Sequence, residues 1–281
     1  MIVAKKAGEF WRQFKKNRAA AISSYVILMF ILLAAFAPWL SPYDPFALGN
    51  DVFMAPQHTH WMGTDDLGRD SLSRVLHGTR VSLAVGLLAS GTSLVLGMLV
   101  GSCAGYFGGF IDNLLMRLAE YFLVIPRFFL ALLIVAMFGT GIGKIILIIG
   151  ILGWPEIARV ARAQFLTLKE REFVLAARAM GQSHHSIIFS EILPNAIPPA
   201  IVVGSFLVAR AILLEAGLSF LGLGDPTVVS WGSLLRDAQD HMRISAWTVV
   251  FPGLALSALV LALNLFGDGV NDVLNPKLKE K

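Results

Sequence analysis

The chain has 281 residues, of which 56% are hydrophobic and only 15% charged, and its mean hydropathy is +0.69. A soluble domain carries about 25% Asp, Glu, Lys and Arg, so this composition argues against a soluble enzyme, a disordered tail and a nucleic-acid module, despite a net charge of +4. One cysteine, Cys103, excludes an internal disulfide framework and a cysteine-rich metal site. The chain reads as an integral membrane protein.

Residues 1–18 mix Phe10, Trp11 and Phe14 with six cations. That pattern suits an amphipathic segment on the anionic cytoplasmic face of a membrane. Residues 19–40 supply a first span, because about 20 apolar residues cross a hydrocarbon core of ~30 Å in helical form. Ala35-Phe36-Ala37 has the spacing of a signal-peptide cleavage site. The apolar run exceeds the usual ~7–15 residues of such a signal, and Pro38 occupies the position after the bond, so the segment is retained as a span.

Residues 41–80 form an external segment opened by the turn-rich Ser41-Pro42-Tyr43-Asp44-Pro45. It reads either as a solvated lid or as a docking surface for an external partner. A second span follows over 81–110, where Gly97, Gly101 and Gly105 recur every fourth residue and permit close helix approach. Residues 118–155 carry only Glu120, Arg127 and Lys144, and are too long for one crossing. They read as two helices joined by a glycine turn over 139–143. Residues 192–224 and 244–267 complete six transmembrane helices in an all-α integral membrane fold. Pro126, Pro155 and Pro252 lie within spans and favour kinks.

Sorting the 23 basic residues by loop puts fifteen on one side and six on the other, with Arg127 and Arg210 inside spans. The bias places both termini in the cytoplasm. The chain then divides into the segment 1–18, a first span 19–40, an external segment 41–80, a core of five spans over 81–270 containing a cytoplasmic loop 159–195, and a tail 271–281.

Intramembrane charge is costly, so each such residue asks for a reason. Glu120 and Arg127 are seven apart and fall near one helical face. Arg210 and Glu215 are five apart, about 140° around a helix, which guarantees no pair. Arg210 is either a pore cation attracting a carboxylate or the partner of another helix or subunit. No catalytic or metal-ligating constellation is apparent: His184-His185 lacks a further ligand and reads as surface. Gly143-Lys144 is followed by Ile145 where a phosphate-binding loop needs Ser or Thr, so the glycine cluster is a turn.

The cytoplasmic loop, read from Glu156 to Pro194, is the informative one. Glu172-Phe173-Val174-Leu175-Ala176-Ala177-Arg178-Ala179-Met180 favours helix, Gly181 suits a reversal, and Pro194-Asn195 marks another break. The expected object is a short helix, a turn and a second helix outside the bilayer.

This run, with Leu193-Pro194-Asn195 twelve residues on, resembles the EAA loop of ABC importer permeases, whose pattern is Glu-Ala-Ala, three residues, Gly, nine residues, Ile, one residue, Leu-Pro. Ala176, Ala177, Gly181, Leu193 and Pro194 match in register, while Leu175 replaces the Glu and Glu191 the Ile. Three further stretches resemble the peptide and nickel group of that family, second or "C"-type subunit. They are Trp61 to Asp70 with Ser73-Arg74 and Arg80 to Leu83, Glu215 to Gly224 with Trp231-Gly232, and Asn264 to Gly269 with Asn275-Pro276.

The resemblance implies a type I ABC importer permease in a bacterial or archaeal cytoplasmic (inner) membrane. Its implied partners are a second permease forming a heterodimer, two ABC ATPases and an extracytoplasmic substrate-binding protein. ATP and Mg belong to the ATPases, and this chain holds no cofactor, no metal and no enzyme activity. Glu172, Leu175, Ala176, Ala177, Arg178, Gly181, Leu193 and Pro194 are the implied ATPase-coupling residues. Arg127, Arg210 and Glu215 are candidates for the pore or an intersubunit contact. Peptides are the expected cargo; nickel or a metal chelate, or an oligosaccharide, is the alternative within the same machinery, and an ion-coupled secondary transporter the distant one.

Overall fold

In the computed structural model the described residues are Phe14 and 17–274. The expectations for the amphipathic segment and for most of the tail therefore lie outside them. The described residues are helical apart from turns, loops and one isolated antiparallel bridge, Thr64 with Asp70.

Helix α1 (Arg18–Leu40) starts where the Asn17 side chain accepts from Ala20 N, and ends two residues beyond Pro38. Helix α2 (Ser71–Phe107) begins ten residues before the uncharged run, because the Asp70 carboxylate caps it by accepting from Ser73 N. Helices α3 (Gly109–Val124) and α4 (Arg127–Phe138) are bent by 88°. The bend falls at Ile125-Pro126, since proline disfavours helix in the residue before it. Gly139 and Gly141, both at positive φ, turn the chain into α5 (Ile142–Leu168). A short α6 (Glu172–Ala179) leads to α7 (His184–Phe220). Then come α8 (Trp231–Ala238), a 3-10 turn and α9 (Trp247–Leu274).

Two expectations are corrected here. Glu120 and Arg127 do not share a helical face, because the bend puts them on different helices. Pro194 does not break the chain: His184 to Phe220 runs on through a π-helical turn, Ile187–Ile192. The wider turn immediately before Pro194 accommodates a residue that has no N–H to donate.

Four described helices are long and apolar enough to cross a membrane, α1, α2, α7 and α9, and the bent pair α3–α4 makes a fifth if counted as one. Helix α5 has the length, with 27 residues, but carries Lys144, Glu156, Arg159 and Arg162. The outward faces are apolar. On α1, Tyr25, Leu28, Met29, Leu32 and Phe36 are all exposed, as lipid-facing side chains must be where no water competes.

The centre of the bundle is α2 packed along α5. A Cβ on Gly101 would lie 2.7 Å from Ala161 Cβ, and one on Gly105 would lie 2.6 Å from Phe165 Cβ. The glycine stripe therefore exists for backbone approach, which replaces the missing hydrophobic drive between helices in lipid. Ser93 Oγ adds an interhelical bond to Gly150 O at 2.8 Å.

At the end of the bundle where α1 finishes, α8 locks the irregular segment 41–70 in place. Trp231 is fully buried and donates through Nε1 to Val75 O, and Trp247 Nε1 donates to Thr64 O. Arg74, 5% exposed, ion-pairs with Asp65 and, at 2.9 Å, with Asp237 on α8. Arg69 adds a 2.7 Å contact to Asp65. Asp65 thus holds two arginines at once, and its buried contact with Arg74 is costly to break from one side.

Candidate functional site

At the opposite end α6 stands out as an elbow between α5 and α7. Its inner face is small: Val174 and Ala177 are buried against Phe165, Ile187 and Ile192. Its outer face repeats at i, i+3, i+4, i+7 and i+8 through Glu172, Leu175, Ala176, Ala179 and Met180, all exposed. Leu175 is 46% and Met180 73% exposed, so an apolar stripe on a polar end of the bundle lacks a cover within this chain.

The elbow closes on Gly181. Its φ is +74°, its N–H donates to Arg178 O, and Gln182 N donates to Ala177 O. This pair of bonds is the Schellman cap, which requires a left-handed residue at that position. A Cβ there would meet nothing within 4 Å, so the space beyond Gly181 is open. Arg178 turns toward the bundle: its guanidinium carbon lies 5.7 Å from the centre of the Tyr106 ring, and the Tyr106 hydroxyl pairs with His184 Nδ1 at 2.7 Å. Leu193 packs against the same cluster as Val174 and Ala177, while Pro194 is exposed. The implied coupling residues thus gather in one elbow, with Leu193 and Pro194 on its second arm.

The other polar feature lies midway along the bundle. Arg210 Nη1 on α7 is 2.9 and 3.0 Å from the two carboxylate oxygens of Glu156 on α5. Arg127 Nη2, at the start of α4, lies 3.0 Å from Glu156 Oε1. These groups border a cavity of about 450 Å³ that also touches Ser90, Ser93 and Phe128. Glu156 and Arg210 also line an adjoining cavity of about 490 Å³ that reaches Arg159 and Ala163. Arg127 and Arg210 therefore meet, through a carboxylate that sequence reasoning assigned to the loop. Helix α5 carries Glu156, Arg159 and Arg162 as far as Leu168, so the loop starts later than expected. The periodic apolar positions Ile157, Ala158, Ala161 and Phe165, all buried, were the signal that α5 continues past Pro155.

Glu215 does not join this group. It is 1% exposed, and its Oε1 accepts from Ser219 Oγ at 2.6 Å, one turn along α7 and beneath α8. His184 and His185 form no metal cluster, and none of three or more His, Cys, Asp or Glu occurs among the described residues.

The helical bundle therefore presents an uncovered elbow at one end and a charged groove along its side. Residues 93–280 match the family described as the binding-protein-dependent transport system inner membrane component, and residues 7–57 match the N-terminal TM domain of oligopeptide transport permease C. The chain belongs to this family of ABC importer permeases. It is 40% identical over 274 residues to the dipeptide transport system permease protein DppC of Alkalihalophilus pseudofirmus, covering 96% of this chain and 90% of that one. It is 37% identical over 274 residues to the glutathione transport system permease protein GsiD of Pectobacterium atrosepticum, covering 96% and 91%. Among solved structures, an inward-facing MetNI methionine ABC transporter chain superposes with a TM-score of 0.57 at 20% identity, covering 73% of this chain and 98% of that one. That likeness establishes the shared fold.

Proposed function

We propose that this chain is one of two unlike permeases of an ATP-driven importer that carries di- or oligopeptides across a bacterial cytoplasmic membrane. Six crossings follow if α1, α2, the bent pair α3–α4, α5, α7 and α9 each cross once. Two contacts support the resulting topology. Ile142 N donates to Asp225 Oδ2 at 2.8 Å, joining the α4–α5 turn to the α7–α8 link at one end. Arg162 Nη2 donates to Asp112 Oδ2 at 2.6 Å, joining the start of α3 to α5 near the elbow. The elbow end and both termini are then cytoplasmic, as the distribution of cations requires.

The observation that carries the mechanism is the elbow's uncovered stripe of Leu175, Ala176, Ala179 and Met180. Each of two ATPases takes one such helix, from this chain or from the second permease. ATP binding closes the ATPases and moves the two elbows together, and because α6 joins α5 to α7 directly, the motion shifts those spans. The pathway then opens to the binding protein, and hydrolysis reverses it. An ATPase biases this equilibrium only through contacts that differ between the two states, and these exposed positions supply them. Arg127 and Arg210 line the path shared with the second permease, and two arginines to one carboxylate disfavour a bare divalent cation as cargo. Glu215 is a packing residue under α8. ATP and Mg stay with the ATPases.

Reconstitution tests this reading. Liposomes holding this chain, the second permease and both ATPases should accumulate a labelled dipeptide only with the binding protein outside and ATP inside. Uptake by this chain alone would establish a secondary transporter instead.

A further inference from the structure

Glu156 stands fourteen residues into α5, about 21 Å along a helix of ~40 Å, so the charged cluster sits near mid-membrane. The Arg210 side chain is 61% exposed there. An uncovered guanidinium at that depth is too costly against hydrocarbon, so this face meets water or the second permease. The two cavities share Glu156 and Arg210 and bring in Arg127 and Arg159. Three arginines against one carboxylate make the groove net positive. Its single internal anion is a carboxylate resting on Arg210 with both oxygens at hydrogen-bond distance.

A peptide's free C-terminus presents the same group. Resting on the peptide-import reading above, we infer that Arg210 and Arg127 form a carboxylate relay in which Glu156 is the internal stand-in for the peptide's C-terminal carboxylate. The pair bridges α5 and α7, the two helices the elbow joins. When those helices separate, Arg210 loses Glu156 and takes the incoming carboxylate by charge-assisted hydrogen bonds. When they close, Glu156 returns and displaces it. Glu156 keeps Arg127 at 3.0 Å while Arg210 is engaged, and the pair with Arg210 re-forms in the state without cargo, so the peptide meets no deep well from which it would fail to leave.

The test uses the complete importer in liposomes with peptide-loaded binding protein. Arg210→Gln should lower dipeptide uptake about tenfold or more, with Arg210→Lys intermediate because it keeps charge without the planar fork. Uptake by Arg210→Gln at the parental rate would overturn the relay while leaving peptide import standing, whereas a parent complex that moves no peptide would overturn the import reading itself. A second measurement reads the groove without relying on that variant. In a Cys103→Ser background, with each rate taken relative to the same reagent's reaction with a small free thiol, a cysteine introduced by Leu213→Cys on the cavity wall should react with a sulfonate-bearing methanethiosulfonate about tenfold faster than with a trimethylammonium one. Equal rates, or a preference for the cation, would remove the positive groove on which the inference stands.

Discussion

Gly181 offers the sharpest test of how the elbow is built, because two explanations for a glycine there make opposite forecasts. The left-handed φ of +74° is what the cap demands, and an L side chain in that region costs about 1–2 kcal/mol. Gly181→Ala should therefore raise the opening frequency of the two cap hydrogen bonds about 5- to 30-fold. Gly181→Asn should raise it less, since asparagine visits this region routinely. Nothing lies within 4 Å of the added Cβ, so sterics inside the chain do not alter that order. Hydrogen exchange at the Gly181 and Gln182 amides, in the isolated subunit, reads the effect directly. Peptide uptake by the assembled importer should follow the same order, with Gly181→Glu uncoupled because it adds charge and bulk to the strain. Should Asn exchange faster than Ala, or block uptake more, the glycine would serve clearance for the ATPase rather than backbone conformation. That outcome would refute the reasoning.

Other outcomes follow from the packing. Gly101→Leu should cost at least about 1–3 kcal/mol by overpacking the α2–α5 contact. Gly91→Ala, which meets nothing within 4 Å, should be neutral or slightly stabilising; thermal melting in detergent distinguishes them. Arg74→Gln should cost about 1–3 kcal/mol, the penalty for a buried polar group that loses a partner, because Asp65 keeps its 2.7 Å contact with Arg69, and it should expose residues 41–70 to limited proteolysis. Asp237→Asn should cost less, because Asp237 is 35% exposed and exposed pairs are weak. Hydrogen bonds from the Thr227 hydroxyl, the Thr227 amide and Ile142 N hold the Asp225 carboxyl below its ordinary value. A depressed folded-state value means that the stabilisation is complete above the ordinary carboxylate range of about 4 and is lost as pH falls through the folded value. The melting difference between parent and Asp225→Ala should thus be constant from neutral pH to about 5 and shrink in stronger acid; a difference growing in acid would contradict the assignment.

Local features of this protein were legible from its residues alone. The apolar runs mark α1, α2, α7 and α9, since lipid demands unbroken helices of a set length. The spacing of Gly97, Gly101 and Gly105 anticipates the α2–α5 contact. Ala176, Ala177 and Gly181 identify the elbow, because the Schellman cap is set within six consecutive residues. Partnerships between distant positions were not legible. Glu156 lies 54 positions from Arg210 and was assigned to a loop, and the clamp of Arg74 on Asp237 spans 163. The 88° bend at Pro126 and the π turn ahead of Pro194 likewise depend on what the neighbouring helices leave room for. Periodicity and caps are interactions over one or two turns, so sequence determines them. Which charges meet depends on how each helix is rotated and translated against the others, and only the packed bundle decides that.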